Sequence, residues 1–372
     1  MCLSEVYPGR DDAVLTCPVC LDDATHEALV SPCSCRGSSA NIHVSCLKQW
    51  HASLGYPSEP SCPTCKQCYF GDVAVELLRI NLKVIEADAA GEENVSVAVA
   101  LNNLAAVLED QGKYDEAMPL CERSLKILES VLGPSHPDVA TALNNFAELL
   151  TDMRRLDEAE PLHWRALSIR EEALGPDHPD VASSLNNVAA LLEEKGEFER
   201  ALPVYERSLA IREKVFGKSH TAVATTLNNM ALLLKKRGEF DRARSLYERD
   251  LSISEQVLGP DHPDVATSLN NLGSLLKQQE KYTEAEPLFL RALTVMEKVL
   301  GEEHPRVASA LCNLGKLNSV QGNLNGAQTY FERSLAIRES VMVPDHPDIL
   351  SVRSLSADNL AALSDSDSIP VC

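Results

Sequence analysis

From Leu101 onward the chain repeats itself every 42 residues, and that period constrains the fold more than any other feature. Leu-Asn-Asn begins at Leu101, Leu143, Leu185, Leu227 and Leu269, and Leu311-Cys-Asn makes a sixth copy. The histidines His136, His178, His220, His262, His304 and His346 keep the interval, as do Ala117, Ala159, Ala201, Ala243, Ala285 and Ala327. A fixed period of this size specifies a solenoid, because one unit cannot bury its apolar face without a neighbour. Inside a unit the apolar spacing is helical twice. Val97, Leu101, Leu104, Ala105 and Leu108 share one face of a first helix, and Ala117, Leu120, Cys121, Leu125, Leu128 and Leu132 one face of a longer second helix. Gly133-Pro134 ends the second helix, and Pro137 suits a first helical turn, where its missing N–H costs nothing. Small residues at Ala105, Ala147, Ala189, Ala231, Gly273 and Gly315 let the paired helices approach closely. The expected body is mostly α: a stack of helical hairpins.

Ahead of the repeats the chemistry changes. Cys17, Cys20, Cys33, Cys35, His43, Cys46, Cys62 and Cys65 form two Cys-x-x-Cys pairs around Cys-x-Cys-x7-His-x-x-Cys. Eight such ligands make two tetrahedral zinc sites with no position left for water, so the metal holds a fold and performs no reaction. Such a domain buries little apolar surface, and metal binding must supply its folding free energy, on the order of 10 kcal/mol per site. His26, His51 and Cys68 do not fit the ligand spacing and are expected at the surface. Eight of the twelve cysteines lie in this stretch, and Cys2, Cys121, Cys312 and Cys372 are scattered, which speaks for zinc in a cytoplasmic chain over disulfides. The sequence leaves nuclear presence open. Residues 1–12 carry charge without an apolar core and read as a flexible tail, not a signal peptide. No run approaches 18 apolar residues, so no membrane span is expected.

The run from Ser31 to Trp50 resembles the RING-CH (RING-variant) family of ubiquitin ligases. It matches in the single residue between the third and fourth cysteines, the seven-residue gap to the histidine, and Cys46-Leu47-x-x-Trp50. The PHD finger shares the ligand order but has a wider third gap, a shorter approach to the histidine and a tryptophan where Pro60 stands here. The resemblance implies a cross-brace, with Cys17, Cys20, His43 and Cys46 on one zinc and Cys33, Cys35, Cys62 and Cys65 on the other. Eight ligands alone allow many partitions. It also implies a conjugating-enzyme surface at Val19, Trp50 and Pro63, with Lys66 placed to bridge to ubiquitin. Many RING-CH ligases are membrane proteins, and this sequence departs from them there.

The repeats resemble tetratricopeptide repeats, and the 42-residue form with Asn-Asn and Gly-Pro-Asp-His-Pro-Asp-Val-Ala is similar to kinesin light chain. The resemblance implies a right-handed superhelix with a peptide groove. A heptad segment of the kind that joins kinesin light chains to the motor is not found, so motor membership is not carried over. Asp72 to Ala89 aligns with a second helix and reads as a cap, and Ile349 to Leu363 as a degraded first helix. The expected organisation is therefore a tail over 1–12, a RING-CH domain over 13–68, a solenoid over 69–363 and a polar tail over 364–372.

Asparagine costs about 0.6 kcal/mol relative to alanine inside a helix, so eleven mid-helix copies need a reason. The resemblance places Asn102, Asn103, Asn144, Asn145, Asn186, Asn187, Asn228, Asn229, Asn270, Asn271 and Asn313 in the groove, where side-chain amides hold a peptide backbone. The other reading is that one Asn of each pair ties adjacent repeats together. The turn histidines, one per repeat and mostly followed by proline, read as loop geometry and not as metal ligands. Residues 1–68 carry −3 and the rest −18, and so acidic a surface repels phosphate backbones, which excludes nucleic acid. Charge is uneven along the first helices: Glu109-Asp110, Thr151-Asp152 and Glu193-Glu194, then Lys235-Lys236 and Lys277-Gln278. That order suits a peptide with basic residues toward the early repeats and acidic ones toward Lys235, or else marks solvated helix ends. No catalytic constellation is present, and a RING-type ligase needs none, since it acts by holding a thioester in position. The expected function is a zinc-dependent ubiquitin ligase that recruits a ubiquitin-charged conjugating enzyme and selects protein substrates through its repeats. A non-enzymatic zinc-finger scaffold is the alternative.

Overall fold

The computed structural model describes residues 17, 20, 27, 29–30, 42–53, 61–62, 69, 71–89, 93–341 and 347–367. The chain divides into two compact units, Met1–Pro176 and Asp177–Cys372.

In the first unit a short antiparallel pair, β1 (Leu29–Val30) and β2 (Ile42–His43), sets Leu29 opposite His43 and leads into α1 (Val44–Ser53). Then come α2 (Gly71–Asp88) and two hairpins, α3 (Val95–Asp110) with α4 (Tyr114–Leu132) and α5 (Pro137–Asp152) with α6 (Leu156–Leu174). The second unit holds α7 (Pro179–Glu194), α8 (Phe198–Phe216), α9 (Thr221–Lys236), α10 (Phe240–Leu258), α11 (Pro263–Gln278), α12 (Tyr282–Leu300), α13 (Pro305–Val320) and α14 (Leu324–Val341). It ends on α15 (Pro347–Asp367), which runs four residues past Leu363. The described chain is overwhelmingly helical, and each unit is built of stacked hairpins, as the period requires.

The helix starts explain the turn histidines. His136, His178, His220, His262 and His304 are extended N-cap residues whose Nδ1 accepts the backbone N–H two residues on, at 3.1–3.2 Å. The imidazole nitrogen thus does what a Ser or Asp oxygen usually does at this position. His346 lies outside the described residues. The turn inside each hairpin needs a left-handed residue, supplied by Gly112, Gly196, Gly238 and Gly322 but by Arg154 (φ 61) and Glu280 (φ 62) in two repeats.

Two hairpins close by pairing a glycine with a phenylalanine sixteen positions later. Gly273 and Gly315 face Phe289 and Phe331, and a Cβ built on Gly315 would lie 2.6 Å from the Phe331 ring. A second column ties the hairpin through a hydroxyl: Ser124 donates to the Ala98 carbonyl, Ser208 to Ala182 and Ser334 to Ala308, at 2.7–2.8 Å, all fully buried.

Candidate functional site

β2 and the first turn of α1 hold His43 and Cys46 three residues apart, so both project to the same side, where Cys17 and Cys20 meet them. The four ligating atoms all lie within 4.8 Å of one another. Cys20 Sγ is 3.2 Å and Cys46 Sγ 4.0 Å from His43 Nδ1. A tetrahedral zinc about 2.0–2.3 Å from each ligand needs spacings of this order, and three sulfurs with one imidazole are a structural zinc donor set. Burial first, then the facing thiols of Cys20 and Cys17, push the Cys46 thiol up to about 12. A thiolate there therefore calls for a cation among the ligands. Of the remaining candidate ligands Cys62 is buried, whereas Cys33, Cys35 and Cys65 lie outside the described residues, as do Val19, Pro63, Lys66, His26 and Cys68.

Glu27 completes the entry to α1. Its carboxylate accepts the Ser45 backbone N–H at 2.9 Å and the Ser45 hydroxyl, and the Ser45 bonds hold its carboxyl below the usual carboxylate range. Nothing in the sequence marks this cap, because donor and acceptor are eighteen residues apart.

Trp50 lies half-buried on α1, at the edge of a small core made by Leu47, Cys62, Tyr69, Ala74 and Leu77. His51, expected at the surface, is instead 1% exposed. It follows Leu47 by one helical turn on the inward face of α1, edge-on to Trp50 at 5.0 Å and to Tyr69 at 5.4 Å. Burial lowers its pKa.

The zinc domain and the first hairpin share α2. Ala74 and Leu77 belong to the zinc-domain core, while Val75, Leu78 and Leu82 belong to the core of the first repeats, and Val107 of α3 packs against both.

The repeat asparagines pair with each other in the second unit. Asn229 Nδ2 donates to Asn186 Oδ1 at 3.3 Å, Asn271 to Asn228 at 2.7 Å and Asn313 to Asn270 at 3.4 Å. Each second Asn thus reaches the first Asn of the preceding repeat, a stride of 43 residues. In the first unit Asn144 is buried against the ring of His163, whose Nδ1 lies 2.9 Å from Asn144 Oδ1. Burial lowers the His163 pKa to about 4, so the ring stays neutral. Asn102, Asn103, Asn145 and Asn187 are half-buried.

The uneven charge is present in three dimensions. In the first unit burial, then Asp152, Glu148 and Asp110, raise Glu109 to about 7. In the second, Lys236 pairs with the buried Glu193 at 2.8 Å. Lys235 donates to Ser274 Oγ at 2.7 Å, and burial with the neighbouring Lys277 lowers its pKa. Burial and Lys316 do the same to Lys277. No helix among the described residues is long and apolar enough to cross a membrane.

A compact Cys3His cluster joined through a shared helix to stacked hairpins defines a zinc-finger protein with a helical-repeat body. The tetratricopeptide repeat family matches residues 96–163, 138–214, 222–298 and 264–340, and the RING-variant domain family matches residues 17–68. The chain belongs to the tetratricopeptide repeat proteins and carries a RING-variant domain ahead of the repeats. It is similar over 54 residues to the E3 ubiquitin-protein ligase MARCHF3 of Xenopus tropicalis, at 37% identity, which is 14% of this chain and 19% of the frog protein. The chain thus spans about a fifth of the length of the curated relatives it matches. Among solved structures it is similar in fold to BtubC (BKLC) from P. vanneervenii, with TM-score 0.54 and 23% identity over 62% of this chain and 94% of that one. A putative kinesin light chain from Podosopora anserina aligns with TM-score 0.48 and 22% identity, over 56% of this chain and 98% of that one.

Proposed function

We propose that this chain is a RING-CH-type ubiquitin ligase: the zinc domain recruits a ubiquitin-charged conjugating enzyme, and the repeats select protein substrates. The Cys17–Cys20–His43–Cys46 cluster beside the half-exposed Trp50 carries the reading, because this is the arrangement by which RING-type domains present a docking surface without a catalytic group. Zinc, when bound, supplies rigidity alone. Cys33, Cys35, Cys62 and Cys65 would hold a second ion, and Val19, Trp50 and Pro63 would form the conjugating-enzyme contact with Lys66 bridging to ubiquitin. Held in this way, the thioester is positioned for attack by a substrate lysine, which is catalysis by orientation. The similarity to a named E3 ligase over the zinc domain supports the class of reaction, and the tetratricopeptide architecture supports a protein substrate.

On the repeats, the Asn amides that are tied to one another serve stacking first. Their remaining hydrogen-bonding capacity suits an extended peptide backbone; within the first unit the acidic first-helix ends near Glu109 suit basic residues, and within the second the lysines at 235 and 277 suit acidic ones. The test is autoubiquitination of the full chain with a panel of conjugating enzymes, for wild type and Trp50→Ala at equal zinc content. Transfer by wild type that drops at least tenfold in the variant supports the reading. Wild-type inactivity across the panel, or an unimpaired variant, overturns it.

A further inference from the structure

The repeats serve as internal controls for one another: at one position of the six second helices three have arginine, two have an apolar side chain, Leu128 and Met296, and α10 has a small polar one. Four residues after the Ser124/Ser208/Ser334 position, three second helices carry arginine: Arg170, Arg212 and Arg338. Each fills the space beside the first helices with hydrogen bonds. Arg170 Nη2 donates to Thr141 Oγ1 at 3.0 Å. Arg212 Nη1 donates to the Ala222 carbonyl at 2.9 Å and to Thr226 Oγ1 at 2.8 Å. Arg338 pairs with Asp348 and donates to Ser309 Oγ at 3.2 Å. Arg212 and Arg338 are both buried.

In α10 the arginine position is Ser254 and the serine position is Asp250. The acceptors survive the change. Asp264 stands where Asp348 pairs with Arg338, Thr225 where Ser309 and Thr141 accept, and Ser268 where Thr226 accepts. These residues, with Asp250 and Ser254, line a cavity of about 170 Å3 that opens between α9, α10 and α11. Asp250 is 3% exposed, Ser254 Oγ donates to its Oδ1 at 3.3 Å, and its Oδ2 has no hydrogen-bond partner. A buried carboxylate oxygen without a donor is costly, and a guanidinium is the cation whose donors fit this set of acceptors. The cavity is too small for a drug-sized ligand, which needs about 300 Å3 or more, and has the scale of one long side chain.

We propose that this cavity receives the arginine side chain of a partner polypeptide, taking in trans the place that Arg212 and Arg338 occupy in their own repeats. Charge complementarity identifies the occupant: the lining has two carboxylates, Asp250 and Asp264, with five hydroxyls, and one cation, Arg306, whose Nη2 donates to Thr267 Oγ1 at 3.3 Å. The site lies in the second unit and does not depend on the zinc domain, so it stands or falls separately from the ligase reading.

The test titrates the full chain at pH 7.5 with N-acetyl-arginine-N-methylamide, which has neutral ends, and with the citrulline and lysine counterparts, reading saturable binding by calorimetry. We expect saturation in the millimolar range or tighter for the arginine compound, at least tenfold weaker binding for the other two, and a loss of at least tenfold in Asp250→Ser. Ser254→Arg should also abolish binding while raising the denaturation midpoint, because it restores the filling side chain in cis. Equal binding by wild type and Asp250→Ser overturns the site, and equal binding of the lysine compound overturns the guanidinium assignment. If only Arg306→Ala binds, Arg306 already fills the cavity and the partner claim falls.

Discussion

Asp250 should make the second unit less stable at neutral pH than a serine in its place would. Burial above all, and then Asp264, lift its carboxyl from 3.8 to about 6 against the opposing bonds from Ser268 and Ser254. That difference corresponds to about 3 kcal/mol of folding free energy once the group is ionised. The sign follows from proton counting. Between about pH 4 and 6 the folded chain holds a proton that the unfolded chain has released, so this contribution favours folding in acid and is lost as pH rises through about 6. Serine at 250 removes the charge and regains the hydrogen bond that Ser124, Ser208 and Ser334 make, about 1 kcal/mol. Asp250→Ser should therefore stabilise by about 3 kcal/mol or somewhat more at pH 7.5, and by about 1 kcal/mol at pH 4. Urea unfolding followed by helical circular dichroism, with both proteins at both pH values, measures it. Because the two share the zinc domain, metal loss in acid cancels in the comparison. An equal gain at both pH values, or none at pH 7.5, would refute the assignment of a buried, strained carboxylate.

Other outcomes follow from the zinc cluster, the turns and the amide ladder. Metal analysis should give two zinc ions per chain, and chelation should unfold α1 while leaving most of the helical signal; a ratio of one or zero removes the second site. Arg154→Gly and Glu280→Gly should each stabilise by about 1 kcal/mol, since both residues sit at positive φ where other repeats have glycine, and an unchanged urea midpoint would show the turns to be unstrained. Asn229→Ala with Asn271→Ala breaks two amide bonds between repeats and should cost about 2 kcal/mol in the same assay. If that pair instead leaves stability intact and weakens capture of a substrate peptide, groove binding is the main role of these side chains.

The period made the hairpins legible, since helix length, turn and cap recur at fixed offsets from each Leu-Asn-Asn. The grouping of Cys17, Cys20, His43 and Cys46 came from the resemblance, and the geometry of those four agrees with it. What the sequence concealed depends on contacts between distant residues. His51 resembles a spare surface histidine until α1 turns it toward Tyr69. Glu27 caps a helix from eighteen residues away. For the asparagines both readings were visible, and only the 43-residue stride of their bonds shows that the ladder joins successive repeats. The α10 cavity was in principle readable by aligning Arg212, Ser254 and Arg338, but an unmatched serine has no meaning until the arginines are seen to fill space.

Helix α2 gives one face to the zinc domain and another to the first hairpin, so these parts of the first unit are splinted and not tethered. A flexible tether lets a bound target sweep many positions past a reactive centre and spreads its effective concentration over the volume explored. A splint removes that averaging at the junction. If the chain transfers ubiquitin, a target held on the early repeats would have its modified lysines set by geometry more than by sequence, and lengthening the junction after Tyr69 would broaden that set.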